Sequence, residues 1–302
     1  MTVFHILAYA SLLVLGAGVI ARILRLASMP LHLRWELYPV PHERGRAGYG
    51  GSRLEEVNWW TKSHRADHVT ELRTMLMEIL LLKGVWEHNR PLWLSTFTLH
   101  FGLYLLIGEA ALLVLGGLLI LTGGALPQAL GAVILALAWA GYLMGLAGSV
   151  LMLGRRLFDP KLRAFNSSGH LFNLLLLGAI HATGLLWIAG DPLYISRLTG
   201  FLAGLAAPAG PFNLPMLGYW HVGLVLFFFV YFPFTHMTHA FVKYFTYHNV
   251  RWEDEPNLPG SRLQEKIVRL ESQAPTWAAP HIGADGKKTW VDIVTKTGEE
   301  KS

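Results

Sequence analysis

The sequence predicts an all-α, polytopic membrane protein: a bundle of five transmembrane helices with cytoplasmic extensions. Three observations carry this. Of 302 residues, 53% are hydrophobic and 15% charged, with a mean hydropathy of +0.38, whereas a soluble domain carries about a quarter charged residues. Five apolar runs, at about 4–26, 93–122, 128–153, 168–190 and 217–244, reach the ~20 residues a helix needs to cross ~30 Å of hydrocarbon. The lysines and arginines are one-sided. From the end of the first run to the start of the second there are 11, between the third and fourth there are 4, and from the end of the fifth onward there are 9. Only Arg197 falls on the opposite side. Positive charge stays inside, so the expected location is the cell (inner) membrane, with the N-terminus outside and the C-terminus in the cytoplasm.

The first run begins at residue 4, has no basic segment before it and lacks a small-residue cleavage site. It reads as a retained helix and not a signal peptide. The inner segment 27–92 follows. Its "RWELYPVPHERGRAGYGG" contains Pro and Gly that forbid a continuous helix. Its "TELRTMLMEILLLKGVWEHNRP" places Leu72, Met75, Leu76, Ile79 and Leu80 at helical spacing and reads as a helix along the membrane surface. The second and third runs are joined by "TGGALPQ". The fourth and fifth are joined by a loop at 191–216. The tail 245–302 predicts an amphipathic helix near 261–272 and an extended strand in "KKTWVDIVTKT". The chain divides into a membrane domain, 1–248 (including 27–92), and a cytoplasmic tail, 249–302. Two inner segments of this size suggest a docking platform for a cytoplasmic partner. Cysteine is absent, which excludes disulfides and cysteine-ligated iron–sulfur clusters in this chain. No nucleic-acid motif uses the basic surface.

The fifth run, "HVGLVLFFFVYFPFTHMTH", carries three histidines, and ionisable rings inside a membrane segment are costly and rare. On a continuous helix His221 and His239 are five turns apart, on one face and ~27 Å apart along the axis. That spacing suits two stacked haems, each clamped between helices. His100 in the second run matches His239 in depth. His181, ~20 Å up the fourth run, is near enough to His221. Neutral imidazole is a normal haem-iron ligand. Taken singly, each histidine reads more readily as a helix–helix hydrogen-bonding residue than as a ligand; four at two matched depths, two of them sharing a face, argue for ligation. The expected sites are His100 with His239 for an inner haem b and His181 with His221 for an outer one.

The stretch "RRLFDPKLRAFNSSGHLFNLLLLGAIHATGLL" followed by "HVGLVLFFFVYFPFTHMTHAF" resembles the gamma subunit of respiratory nitrate reductase, a five-helix cytochrome b. "RWELYPVPHE", "EEVNWWTK" and "LKGVWEHNRPLW" resemble more closely the cytochrome b subunits of sulfur-metabolism transmembrane redox complexes, which pair with heterodisulfide-reductase-like iron–sulfur proteins. The resemblance implies that His100 and His239 hold the inner haem and that His221 is one outer ligand. Its mate in the gamma subunit falls here on Ala110, and His181 takes that place. It implies electron exchange between a menaquinone-type quinone and a cytoplasmic iron–sulfur subunit, with an extracytoplasmic cytochrome c as a further partner. Glu109, near the outer end of the second run, is a candidate for the quinone-linked proton route. Its wheel angle, opposite His100, also fits a carboxylate snorkelling to the interface. Two other functions remain: a haem-free anchor of a redox complex, and a proton-conducting transporter, which broken helices would favour over unbroken spans.

Overall fold

The computed structural model describes residues 2–29, 34, 36, 38–43, 51–208 and 210–295. Parts of the 34–51 and 287–297 stretches lie outside the described residues. The chain is all-α, about 75% helical, with five helices long and apolar enough to cross a membrane. In order the helices are α1 (Val3–Ser28), α2 (His68–Leu80), α3 (Lys83–His88), α4 (Arg90–Leu121), α5 (Gln128–Phe158), α6 (Pro160–Arg163), α7 (Ser168–Gly190), α8 (Tyr194–Ala206), α9 (Met216–Tyr231), α10 (His239–Thr246), α11 (Arg262–Glu271) and α12 (Trp290–Thr295). Two compact units result: residues 1–20 with 72–238, and residues 21–71 with 239–302.

The first unit holds the membrane bundle. Small residues let backbones meet where lipid supplies no hydrophobic drive between helices. A Cβ on Gly102 of α4 would lie 2.4 Å from the Gly145 nitrogen of α5, and one on Gly148 would lie 2.3 Å from the Leu99 nitrogen. These helices therefore touch along a seam where only hydrogen fits. Asn89 starts α4 by accepting from the Leu92 amide at 3.1 Å, with Pro91 in the first turn, where its missing N–H costs nothing. The core beside this seam contains Ile134, Tyr142, Trp187, Tyr194 and Val222. Phe4 of α1 joins it edge-to-face with Phe201, Phe212 and Tyr219, at 5.1–6.1 Å between ring centres.

Two features of this unit depart from the sequence reading. Half of the 191–216 loop is helix α8, which stands along α4: Glu109 meets Tyr194, Gly116 meets Thr199 and Gly117 meets Ala203. The fifth span is also broken. Regular helix stops at Tyr231, then 3₁₀ turns run Phe232–Phe234 and His236–Thr238 before α10 begins. Pro233 has no N–H to donate and its ring clashes with the preceding turn. It packs on Gly18, whose added Cβ would fall 2.7 Å from the proline Cβ. The five-turn count from His221 to His239 assumed a continuous helix, so the shared face it predicts does not follow.

The second unit is knitted by polar contacts. His42 Nε2 lies 2.8 Å from Asp254 Oδ2, which Arg53 also contacts. Arg34 pairs with Glu43 at 3.0 Å, and Glu43 accepts from Ser52 and from the Val40 amide. Trp252 donates to Glu36 at 3.0 Å, and His248 pairs with Glu71. The predicted amphipathic helix is α11, capped by Ser261 accepting from the Gln264 amide. The predicted strand is instead helix α12. Thr289 accepts from the Asp292 amide while the Asp292 carboxylate accepts from the Thr289 amide, and this reciprocal cap outweighs the alternation of "WVDIV".

Candidate functional site

Helix α7 presents His181 to the interior, with none of its surface exposed. Among the described residues its Nε2 is buried without a hydrogen-bond partner, and a neutral imidazole nitrogen with a free lone pair is what ligates a metal. Nε2 abuts Gly145 of α5, where an added Cβ would lie 2.2 Å away. Ser149 Oγ stands 3.5 Å from Nδ1.

Helix α9 places His221 across from α7, 4% exposed. Both of its nitrogens are engaged. Nδ1 lies 3.0 Å from Thr183 Oγ1, and Nε2 lies 3.1 Å from the Tyr142 hydroxyl. From there the contacts continue. Tyr142 meets the Tyr194 hydroxyl at 2.8 Å, and Tyr194 meets Glu109 Oε1 at 2.7 Å. Four helices, α4, α5, α8 and α9, thus each supply one member of a buried chain. Trp187 walls it, with ring centres 4.9 Å from Tyr194 and 5.9 Å from His221, and its indole nitrogen donates to Asp191, which pairs with Arg197. Glu109 is 3% exposed. It does not snorkel, because α8 covers the face that the bare α4 would show to lipid.

His100 on α4 places Nδ1 2.8 Å from the Thr96 carbonyl one turn back. His239 opens α10 in the second unit and is exposed. The structure therefore brings His181 and His221 onto packed helices and places His100 and His239 in different units. Haem chemistry finds a fitting donor at His181, an orphaned buried nitrogen. Both ring nitrogens of His221 are hydrogen-bonded here, to Thr183 and to Tyr142. The packing at Gly145 is closed, so iron at His181 Nε2 requires α5 to withdraw there.

Tyr142, Tyr194 and Thr183 were not singled out from the sequence. The available signal was Tyr142, a hydroxyl-bearing ring in the middle of an apolar span, where a buried phenol needs a partner. His5 is also fully buried. Its Nδ1 lies 2.8 Å from Thr2 Oγ1 and its ring stacks on Phe212 at 4.1 Å.

Fold and site together define a multi-pass α-helical membrane protein with histidines and a carboxylate in its core. No protein-family model matches the chain, and no curated protein matches it, so the functional argument stands on these residues.

Proposed function

We propose that this chain is a membrane cytochrome b subunit that passes electrons between a menaquinone-type quinone and a cytoplasmic iron–sulfur partner of heterodisulfide-reductase-like type. An extracytoplasmic cytochrome c is the further partner. His181 carries the reading: a buried imidazole inside a membrane bundle, with Ser149 beside one nitrogen and no partner among the described residues at the other. An isolated polar nitrogen there is costly unless something occupies it. His181 would hold one haem. His100, anchored to the Thr96 carbonyl, and His239 are assigned to the inner haem by resemblance. Bound haem iron supplies one-electron transfer. The protein's part is to orient the His100 imidazole through the Thr96 carbonyl and to exclude water with Trp187, Tyr142 and the glycine seam. The one-sided basic residues support an inner-membrane orientation with the C-terminus in the cytoplasm.

A pyridine haemochrome spectrum of the purified chain tests this. Non-covalent haem that extracts into acidified acetone is expected, because a chain without cysteine cannot make thioether bonds. His181→Ala should remove one spectral component. A haem-free chain would overturn the reading and leave the membrane-anchor and proton-conducting functions. The latter has its own supporting observations: the break at Pro233 and the buried chain from His221 to Glu109.

A further inference from the structure

We propose that His221, Tyr142, Tyr194 and Glu109 form a proton-transfer chain through the bundle core, and that His221 serves this chain and not a haem iron. The three links measure 3.1, 2.8 and 2.7 Å, each a normal hydrogen bond. The members come from four helices, so no local sequence preference explains their meeting. Buried polar networks are costly unless every member is satisfied.

This chain is satisfied in two ways. In one, the Glu109 carboxyl donates to Tyr194, Tyr194 donates to Tyr142, and Tyr142 donates to Nε2 of a neutral His221 whose Nδ1–H faces Thr183 Oγ1. In the other, Nε2–H donates to Tyr142, Tyr142 to Tyr194, and Tyr194 to the Glu109 carboxylate. Passing from the first to the second moves three protons one link each. The net result is one proton carried from Glu109 to His221, with no electron transferred and no hydrogen bond lost. Tyr142 and Tyr194 end as neutral phenols in both states.

The surroundings favour a confined path. Among the described residues Glu109 makes no ion pair; Asp191, to which Trp187 donates, pairs with Arg197 at 2.9 Å. His181 on α7 is turned to Gly145 and stands outside the chain. The phenol of Tyr142 is held in place because Gly184 has no side chain: a Cβ there would fall 2.2 Å from its ring. The chain suits a membrane reaction that must deliver or remove a proton in the core. Only its assignment to quinone chemistry rests on the function proposed above.

The test uses the full chain in lipid nanodiscs. Infrared difference spectra should contain a protonated carboxyl band that Glu109→Gln abolishes. After transfer to heavy water its shift reports how fast the Glu109 proton exchanges. Tyr142→Phe keeps the ring and the Tyr194–Glu109 bond but cuts the path. It should slow that exchange by about tenfold or more, the effect of removing one link from the transfer barrier. Tyr194→Phe should do the same if Tyr142→Phe fails to fold. A network that is only structural predicts unchanged exchange, and exchange within twofold of wild type in a folded variant overturns the proposal. So does the absence of any carboxyl band lost in Glu109→Gln. The role of His221 is read separately: His221→Gln should leave the haem content per chain unchanged, and loss of a haem would return His221 to the iron. A wild-type chain without haem would refute the cytochrome reading alone, since the exchange measurement needs none.

Discussion

Replacing Asp254 with Asn should loosen the second unit by a calculable amount. The Asp254 carboxyl would be pushed up by its burial, but hydrogen bonds from His42 and Arg53, together with the Arg53 charge, hold it below its ordinary 3.8, at about 2. At ~1.4 kcal/mol per tenfold change in proton affinity this corresponds to roughly 2 kcal/mol favouring the folded unit. With 21% of the side chain exposed, solvent screening lowers the figure to about 1–2 kcal/mol. A depressed folded value means the stabilisation is fully present above 3.8 and is lost as the pH falls from there through about 2. Hydrogen exchange of the intact protein in detergent reads it through the Asp67 amide, bound to the His42 carbonyl, and the Trp252 amide, bound to Tyr247. At neutral pH Asp254→Asn should speed exchange of these amides by about 5- to 30-fold and leave α5 unchanged. Acceleration below twofold, or equal acceleration in α5, would refute the accounting. Wild type should approach the variant only in the acid window.

Other outcomes follow from the packing and the proposed site. If His100 and His239 serve one haem, alanine at either should remove the same spectral component, and the double variant should lose no more; additive losses would separate them. Gly184→Ala drives a methyl into the Tyr142 ring and should cost about 1–3 kcal/mol as overpacking. A lower thermal midpoint in detergent would register this, and an unchanged midpoint would contradict the close approach. Deleting residues 275–302 should weaken co-purification with the iron–sulfur partner while leaving haem per chain unaltered; undiminished association would remove that segment from the interface.

The membrane class was legible because it depends on bulk transfer of apolar residues, a property that survives averaging over ~20 positions. Four of the five spans begin and end within a few residues of the apolar runs. The fifth failed because hydropathy is blind to Pro233: "YFPFTH" is as apolar as a helix but cannot be one. His181 was legible as a candidate, but its complete burial and its contact with Gly145 are tertiary facts. For Glu109 the snorkelling alternative stayed open because α8 was unseen, and a helical wheel of α4 alone has no knowledge of what covers it. The tail went the other way. A two-residue periodicity in "WVDIV" suggested a strand, and a cap of two side chains at Thr289 and Asp292 decided for helix. Short segments are settled by their ends, and long ones by their composition.

Helix α8 has a consequence for how the protein is made. Glu109 leaves the ribosome 85 residues ahead of Tyr194. At translation speeds of ~5–20 residues per second, its hydrogen-bond partner follows roughly ten seconds later. For that interval α4 must enter the membrane with a bare carboxyl three turns from its end, against an insertion cost of about 2.5–3.5 kcal/mol for an acid at mid-bilayer. The leucines and isoleucines flanking it, from Leu103 to Leu121, are the credit that covers this loan until α8 arrives. Membrane integration of this chain is therefore a two-stroke event, and truncation before residue 194 should strand α4 as a substrate for membrane quality control.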